Sequence, residues 1–342
     1  MKYLWAFLSG GAALAAQDTY FSGFISQTVS PAVWFLAYAV LTGLVVLFGV
    51  EKGVEKVSKF LMPILVLLSI VIAVYSVCMP GAIDGLIYYI KPDFTKFSPK
   101  TVLAALGQLF YSMSLAMGIM VTYGSYMKKD VSLESSVSQI EIFDTGIAFL
   151  AGLMIIPAVF VFSGGTPEAL GAGPSLMFVT LPKVFETMYA GAIVGILFFV
   201  LVLFAALTSS ISLMETIVSI VCDKFKVQRR PACFIVFAIV VLLGIPSSFG
   251  YGPWASFKLL GMQILDFFDF ISNSVIMPIV AFLTCIFVGF VIKPKAICDE
   301  IEITGKFKKK ALFNVVIKYI APVCILLILA SSVLSAFGVI SL

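Results

Sequence analysis

Eight stretches of this chain, about 31–50, 60–79, 102–126, 140–163, 189–222, 232–250, 265–292 and 313–338, are apolar and almost uncharged. At 1.5 Å per residue each is long enough, as a helix, to cross the roughly 30 Å hydrocarbon layer of a bilayer. Several exceed 20 residues and must tilt, bend or run on beyond the membrane. Nothing else restricts the fold as strongly. In hydrocarbon every backbone polar group needs a partner, which leaves helices and closed barrels. Apolar runs of this length indicate helices. Composition agrees: 61% of residues are hydrophobic and 12% charged, about half the charged share of soluble domains.

The charges that remain give an orientation. The loops at 51–59, 127–139, 223–231 and 293–312, with Lys318, hold 16 of the 22 Lys and Arg. The positive-inside rule assigns that side to the cytoplasm, so the first full span runs inward and the C-terminus lies outside. The net charge of +4 is spread over short clusters and does not indicate nucleic acid. The six Cys are scattered without a CxxC pair, and His is absent, so neither a disulfide framework nor a His-based relay or metal site is expected. The chain divides into residues 1–30, read as the end of a helix (3–8) followed by a small, polar, exposed loop, and a single transmembrane domain over 31–342.

Three features inside this apolar frame point to chemistry. The span 102–126 carries Ser112, Ser114, Ala116 and Gly118 at its centre. That pattern fits a helix opened over a cavity, or an ordinary span whose small face packs on a neighbour. In 189–222, Thr208, Ser209, Ser210 and Ser212 place four hydroxyls in five positions. Such hydroxyls often bond back to the carbonyl one turn earlier. With the Ala205 carbonyl they also make half of a dehydrated cation site. Finally, Asp144, Glu215, Asp266 and Asp269 fall within spans, with no Lys or Arg deep enough to pair with them, so a sodium ion or proton is the expected partner. The outer connection 164–188 ends in apolar residues and reads as a hairpin lid or an interfacial amphipathic loop.

Several stretches, in order, resemble the neurotransmitter:sodium symporter family in its bacterial amino-acid-transporter branch. They are FGVEKGVEKVSKFLMP (48–63), GQLFYSMSLAMG (107–118) with TYGSYMKKD (122–130), GPSLMFVTLP (173–182), FAALTSSISLMETIVSIVCD (204–223) and LDFFDF (265–270). The resemblance implies an all-α integral membrane protein of about eight transmembrane helices, an inverted-repeat amino-acid transporter fold lacking the first two helices and most of the third. KYLWAFLSG (2–10) resembles the end of that third helix, so an N-terminally truncated form is expected.

Residue roles follow from the same resemblance. Tyr111, Ser114, Met117, Ser209 and Leu213 are expected to contact substrate. Ser112 and Asp144 are expected at one sodium ion, and the Ala205 carbonyl with Thr208 and Ser209 at a second. Asp269 matches an outer gate, Tyr126 and Asp223 an inner one. Both sodium sites are expected to be incomplete in this chain, because the first helix supplies the other ligands. The implied function is sodium-coupled symport of a neutral, hydrophobic or aromatic amino acid across the plasma membrane. The partners are sodium ions, that amino acid and the lipid bilayer, with chloride dependence and oligomeric state left open. The alternative is a non-transporting membrane remnant with a structural or regulatory role, and the 342 residues alone are expected not to transport. No nucleophile–base pair, metal cluster or phosphate loop suggests an enzyme.

Overall fold

The computed structural model describes residues 1–95, 97–165 and 173–336. In chain order the helices are α1 (Lys2–Leu8), α2 (Ala12–Ala15), α3 (Asp18–Ile25), α4 (Val29–Leu47), α5 (Lys56–Val77), α6 (Ala82–Ile90), α7 (Pro99–Ser112), α8 (Ile119–Tyr126) and α9 (Leu133–Phe162). They continue as α10 (Gly173–Ser175), α11 (Leu181–Thr187), α12 (Gly191–Phe225), α13 (Arg229–Phe249), α14 (Ile264–Asp269), α15 (Met277–Ile286), α16 (Pro294–Glu302), α17 (Lys310–Val315) and α18 (Ala321–Ala336). Short π-helical turns link several of these, so that Ile264–Ile292 and Lys310–Ala336 are continuous. Seven helices among the described residues are long and apolar enough to cross a membrane. The stretch expected as an eighth span is broken into α7 and α8, of 14 and 8 residues, each too short to cross alone. Residues 166–172 of the expected lid and 337–338 of the last span lie outside the described residues.

The chain forms two compact units, one of residues 1–92 and 146–258, the other of 93–145 and 259–342. In the first, α12 is the axis, contacted by α1, α4, α5, α11 and α13. Its core is aromatic at one end: Tyr3, Phe7, Phe185, Phe198 and Phe199 are buried with Leu181 and Val184. Gly195 lets α1 come this close, since a Cβ there would lie 2.1 Å from the Phe7 ring. Burying aromatic surface of this size stabilises by about 2–3 kcal/mol per ring, which is how the seven-residue α1 is held without helical length of its own.

Residues 10–30 do not form the exposed loop that their small polar composition suggests. They fold into α2 and α3. Ala12–Ala16 contains strong helix formers, and Tyr20, Phe21 and Phe24 recur at helical spacing. Tyr20 meets Tyr3 edge-on, and Phe21 stacks on Phe178. An ion pair between Asp18 and Lys183 joins α3 to α11. Of the expected lid, 173–187 is helical, exposed at 173–175 and packed further on: Leu181, Val184 and Phe185 are buried, and the Tyr3 hydroxyl donates to the Phe178 carbonyl at 2.7 Å.

In the second unit α15 packs on α18, and α18 on α7. Ala281, Cys285 and Ile325 are buried there, with Phe110, Ala116 and Phe282 packed against them. The apolar sides of the interrupted segment are therefore backed by two helices.

Candidate functional site

The interruption between α7 and α8 is built by the backbone. Helix α7 starts with a capping box: the Ser98 hydroxyl accepts the Thr101 amide at 3.4 Å, Thr101 reciprocates at 3.3 Å, and Pro99 fits the first helical position. It ends at Ser112. Ser114, Ala116 and Gly118 then take φ of +54°, +61° and +80°. Glycine adopts that region freely, but each L-residue pays about 1–2 kcal/mol for it. Where helices stop, the last carbonyls of one and the first amides of the next lack intrahelical partners. The sequence 113–118 thus places polar backbone at the middle of an otherwise apolar segment.

Beside the break, the Ser112 hydroxyl donates to Asp144 Oδ1 at 2.6 Å, within the range of a charge-assisted hydroxyl–carboxylate bond. Of the substrate residues expected here, Tyr111 is half exposed, while Ser114 and Met117 are partly buried. Asp269, at the end of α14, is exposed and accepts the Asn273 amide at 2.6 Å. Tyr126 closes α8, partly exposed, with its ring 6.4 Å from that of Tyr123.

The hydroxyls of α12 sort into two kinds. Ser210 is structural. It donates to the Leu207 carbonyl at 3.0 Å and meets Tyr38 and Thr42 of α4 at 2.9 and 3.0 Å, joining the two helices. Ser212 bonds back to the Thr208 carbonyl at 3.0 Å. Thr208 and Ser209 converge on the Ala205 carbonyl at 3.0 and 3.1 Å, with Thr208 shared between it and the Phe204 carbonyl at 3.1 Å. Thr208 is buried and Ser209 exposed; Ser209 shares its exposed face with Leu213, one turn on. A hydroxyl that donates to a carbonyl keeps its oxygen lone pairs, so both side chains can still accept a cation. The Ala205 carbonyl already takes two hydroxyls, besides its place in the helix ladder, and would have to give up one of them. Asp223 lies exposed near the end of α12.

The reading of Glu215 as a carboxylate without a cationic partner is overturned. Its side chain is fully buried, and both its oxygens accept from the Arg229 guanidinium, Oε1 at 3.0 Å. Arg229 also donates to the Val46 carbonyl at 2.8 Å. Arg229 opens α13 and Val46 is one residue from the end of α4, so Glu215 lies level with the ends of its neighbours. Helix α12 continues about ten residues further, which the sequence pattern cannot distinguish from depth in the bilayer. The available signal was the Arg-Arg-Pro at the head of α13.

Among the described residues no three of His, Cys, Asp and Glu gather to hold a metal ion. The clustered donors are hydroxyl, carbonyl and single carboxylate oxygens, which suit a hard cation rather than a thiophilic or imidazole-seeking metal.

Long apolar helices, one broken beside a serine–carboxylate pair and another carrying a hydroxyl cluster, define a multi-pass membrane protein of the transporter class. The chain belongs to the sodium:neurotransmitter symporter family, whose model matches residues 22–339. It is 36% identical over 298 residues to a sodium-dependent transporter of Haemophilus influenzae, covering 87% of this chain and 64% of that one. It is 35% identical over 321 residues to the sodium-dependent transporter YhdH of Bacillus subtilis, covering 93% and 70%. The chain thus spans about two thirds of the length of these relatives. The crystal structure of MhsT in complex with L-phenylalanine superposes with a TM-score of 0.84 at 36% identity, covering 96% of this chain and 75% of that one. These relatives are transporters, not enzymes.

Proposed function

We propose that this protein couples uptake of a neutral, hydrophobic or aromatic amino acid to sodium entry across the plasma membrane. The observation that carries the reading is the break at 113–118 with its Ser112–Asp144 bond, in a chain that matches MhsT, crystallised with L-phenylalanine, over 96% of its length. Ser112 and Asp144 hold one sodium ion; Thr208, Ser209 and the Ala205 carbonyl contribute to a second. Tyr111, Ser114, Met117, Ser209 and Leu213 contact the substrate, with Met117 and Leu213 setting its apolar preference. Asp269 serves an outer gate, Tyr126 and Asp223 an inner one. The Lys- and Arg-rich loops face the cytoplasm and the C-terminus faces outward.

The test is reconstitution into liposomes with an inward sodium gradient and radiolabelled L-phenylalanine, L-leucine and L-glutamate. In a protein of the relatives' full length, sodium-dependent accumulation of the first two and not the third is expected, and residues 1–342 alone are expected to accumulate none. Uptake that is unchanged when potassium replaces sodium overturns the coupling. A folded protein that binds neither sodium nor neutral amino acids returns the reading to a non-transporting membrane partner.

A further inference from the structure

The strongest unassigned feature is a cavity of about 480 Å³ in the second unit, lined by Gly289, Phe290, Lys293, Pro294, Lys295, Lys310, Asn314 and Lys318. It sits where the membrane-crossing helices Ile264–Ile292 and Lys310–Ala336 reach a common end. Four of its eight lining residues are lysines. Lys310 is partly neutralised, donating to both Glu302 oxygens at 3.1 and 3.2 Å. Lys293, Lys295 and Lys318 have no ion pair among the described residues.

Lys318 is the informative one. It lies eight residues along the helix Lys310–Ala336, about 12 Å from its start, and is half-buried. Its stem runs along the neighbouring helix end, with Cγ 3.4 Å from where a Gly289 side chain would begin, so the ammonium snorkels toward the cavity. Two other groups bear on the ligand. Asn314 Oδ1 is buried with no hydrogen-bond partner and, as an acceptor, calls for a donor such as a headgroup hydroxyl. Helix α16 begins at the cavity with Pro294, which has no N–H, and without a side-chain cap, so the positive end of its dipole lies there. Phe290 of the lining is exposed, as are Val291, Leu312, Val315 and Tyr319 on the same two helices. A free anion gains nothing from such apolar surface; a lipid with acyl chains does.

We infer that this cavity binds the phosphate headgroup of an anionic glycerophospholipid, with Lys293, Lys295 and Lys318 around the phosphate, Asn314 toward the headgroup's polar end, and acyl chains along the Phe290–Tyr319 surface. The inference is independent of the substrate transported.

Delipidated protein in a neutral detergent is titrated with phosphatidylglycerol, phosphatidylcholine or sodium phosphate, and followed by thermal unfolding and native mass spectrometry. Phosphatidylglycerol is expected to raise the unfolding temperature and remain bound; phosphatidylcholine is not. Each lysine near a phosphate contributes about fivefold in affinity, so K293Q/K318Q should weaken phosphatidylglycerol binding about twenty-five-fold. K306Q/K308Q, with the same charge change outside the cavity, should stay within about twofold, and K318R should retain binding. If K293Q/K318Q does not fold, K295Q alone is expected to lose about fivefold. Equal effects of the two lipids, equal losses in both double variants, or full stabilisation by millimolar phosphate overturn the inference, the last by showing a site for the free anion.

Discussion

Replacing Arg229 with Ala tests the fold where it is most exposed to electrostatic failure. Glu215 has no accessible side-chain surface, while Arg229 keeps 31% of its own. Truncating the guanidinium strands a carboxylate in a dry site, which costs about 3–5 kcal/mol. The Val46 carbonyl loses a donor as well, adding about 1 kcal/mol. Glu215→Gln is milder, because Arg229 can turn its head toward water while an amide still accepts one bond; about 1–2 kcal/mol is expected. Replacing the pair together, Glu215→Leu with Arg229→Met, removes both charges and should come back to within about 1 kcal/mol of the parent. At about 2 °C per kcal/mol, the scale for domains of some two hundred residues, Arg229→Ala should lower the unfolding temperature by about 8–12 °C and Glu215→Gln by about 2–4 °C. A thiol-reactive dye in detergent reads this transition, since Cys233, Cys285 and Cys298 are buried until the protein opens. Equal shifts for the two single variants, or a loss below about 2 °C for Arg229→Ala, refute the argument that a desolvated ion pair joins α4, α12 and α13.

Other expectations concern the proposed sites. Thr208→Ala with Ser209→Ala removes two oxygen ligands, each worth about 1.5–3 kcal/mol to a charge, so half-saturating sodium should rise at least tenfold in an uptake or binding titration. Ser112→Ala removes the short bond to Asp144 at an exposed position; half-saturating sodium should rise while the unfolding temperature changes by less than about 2 °C. Burial pushes the Cys298 thiol above its ordinary range, against smaller pulls from Lys310. At pH 7.5 its maleimide labelling should therefore trail that of exposed Cys78 by more than tenfold, and accelerate as pH rises past 9.

The sequence pattern made the helical frame readable because hydrocarbon admits so few alternatives. The break at 113–118 was only half readable: Ser112, Ser114 and Gly118 fit an opened helix or a small face packed on a neighbour, and the positive φ of Ser114 and Ala116 decides for the first. What could not be read was whether a polar residue in an apolar run lies deep or level with the helix ends. Glu215 shows this, for its distance along α12 says nothing of where α4 and α13 stop. Residues 10–30 are helical against their composition. Small residues suggested a loop, whereas the aromatic spacing of Tyr20, Phe21 and Phe24 carried the helix, in a segment too short for periodicity to be plain.

The hydroxyl cluster of α12 shows why sequence alone left two readings open. Back-bonding and cation binding are not rivals at the level of atoms. Back-bonding uses the hydroxyl hydrogen, cation binding the oxygen lone pairs, and one side chain can do both. What separates the four is the direction in which those lone pairs are left. Ser210 accepts from Tyr38 and lies against the Thr42 hydroxyl within the α4–α12 contact, which leaves no room for an ion. Thr208 and Ser209, turned onto the same Ala205 carbonyl, keep theirs. The carbonyl is then the weak member of the set, since it must release a hydroxyl before it can accept a cation. Sodium binding at this helix should therefore compete with one of the two back-bonds, most readily that of Thr208, which can pass to the Phe204 carbonyl.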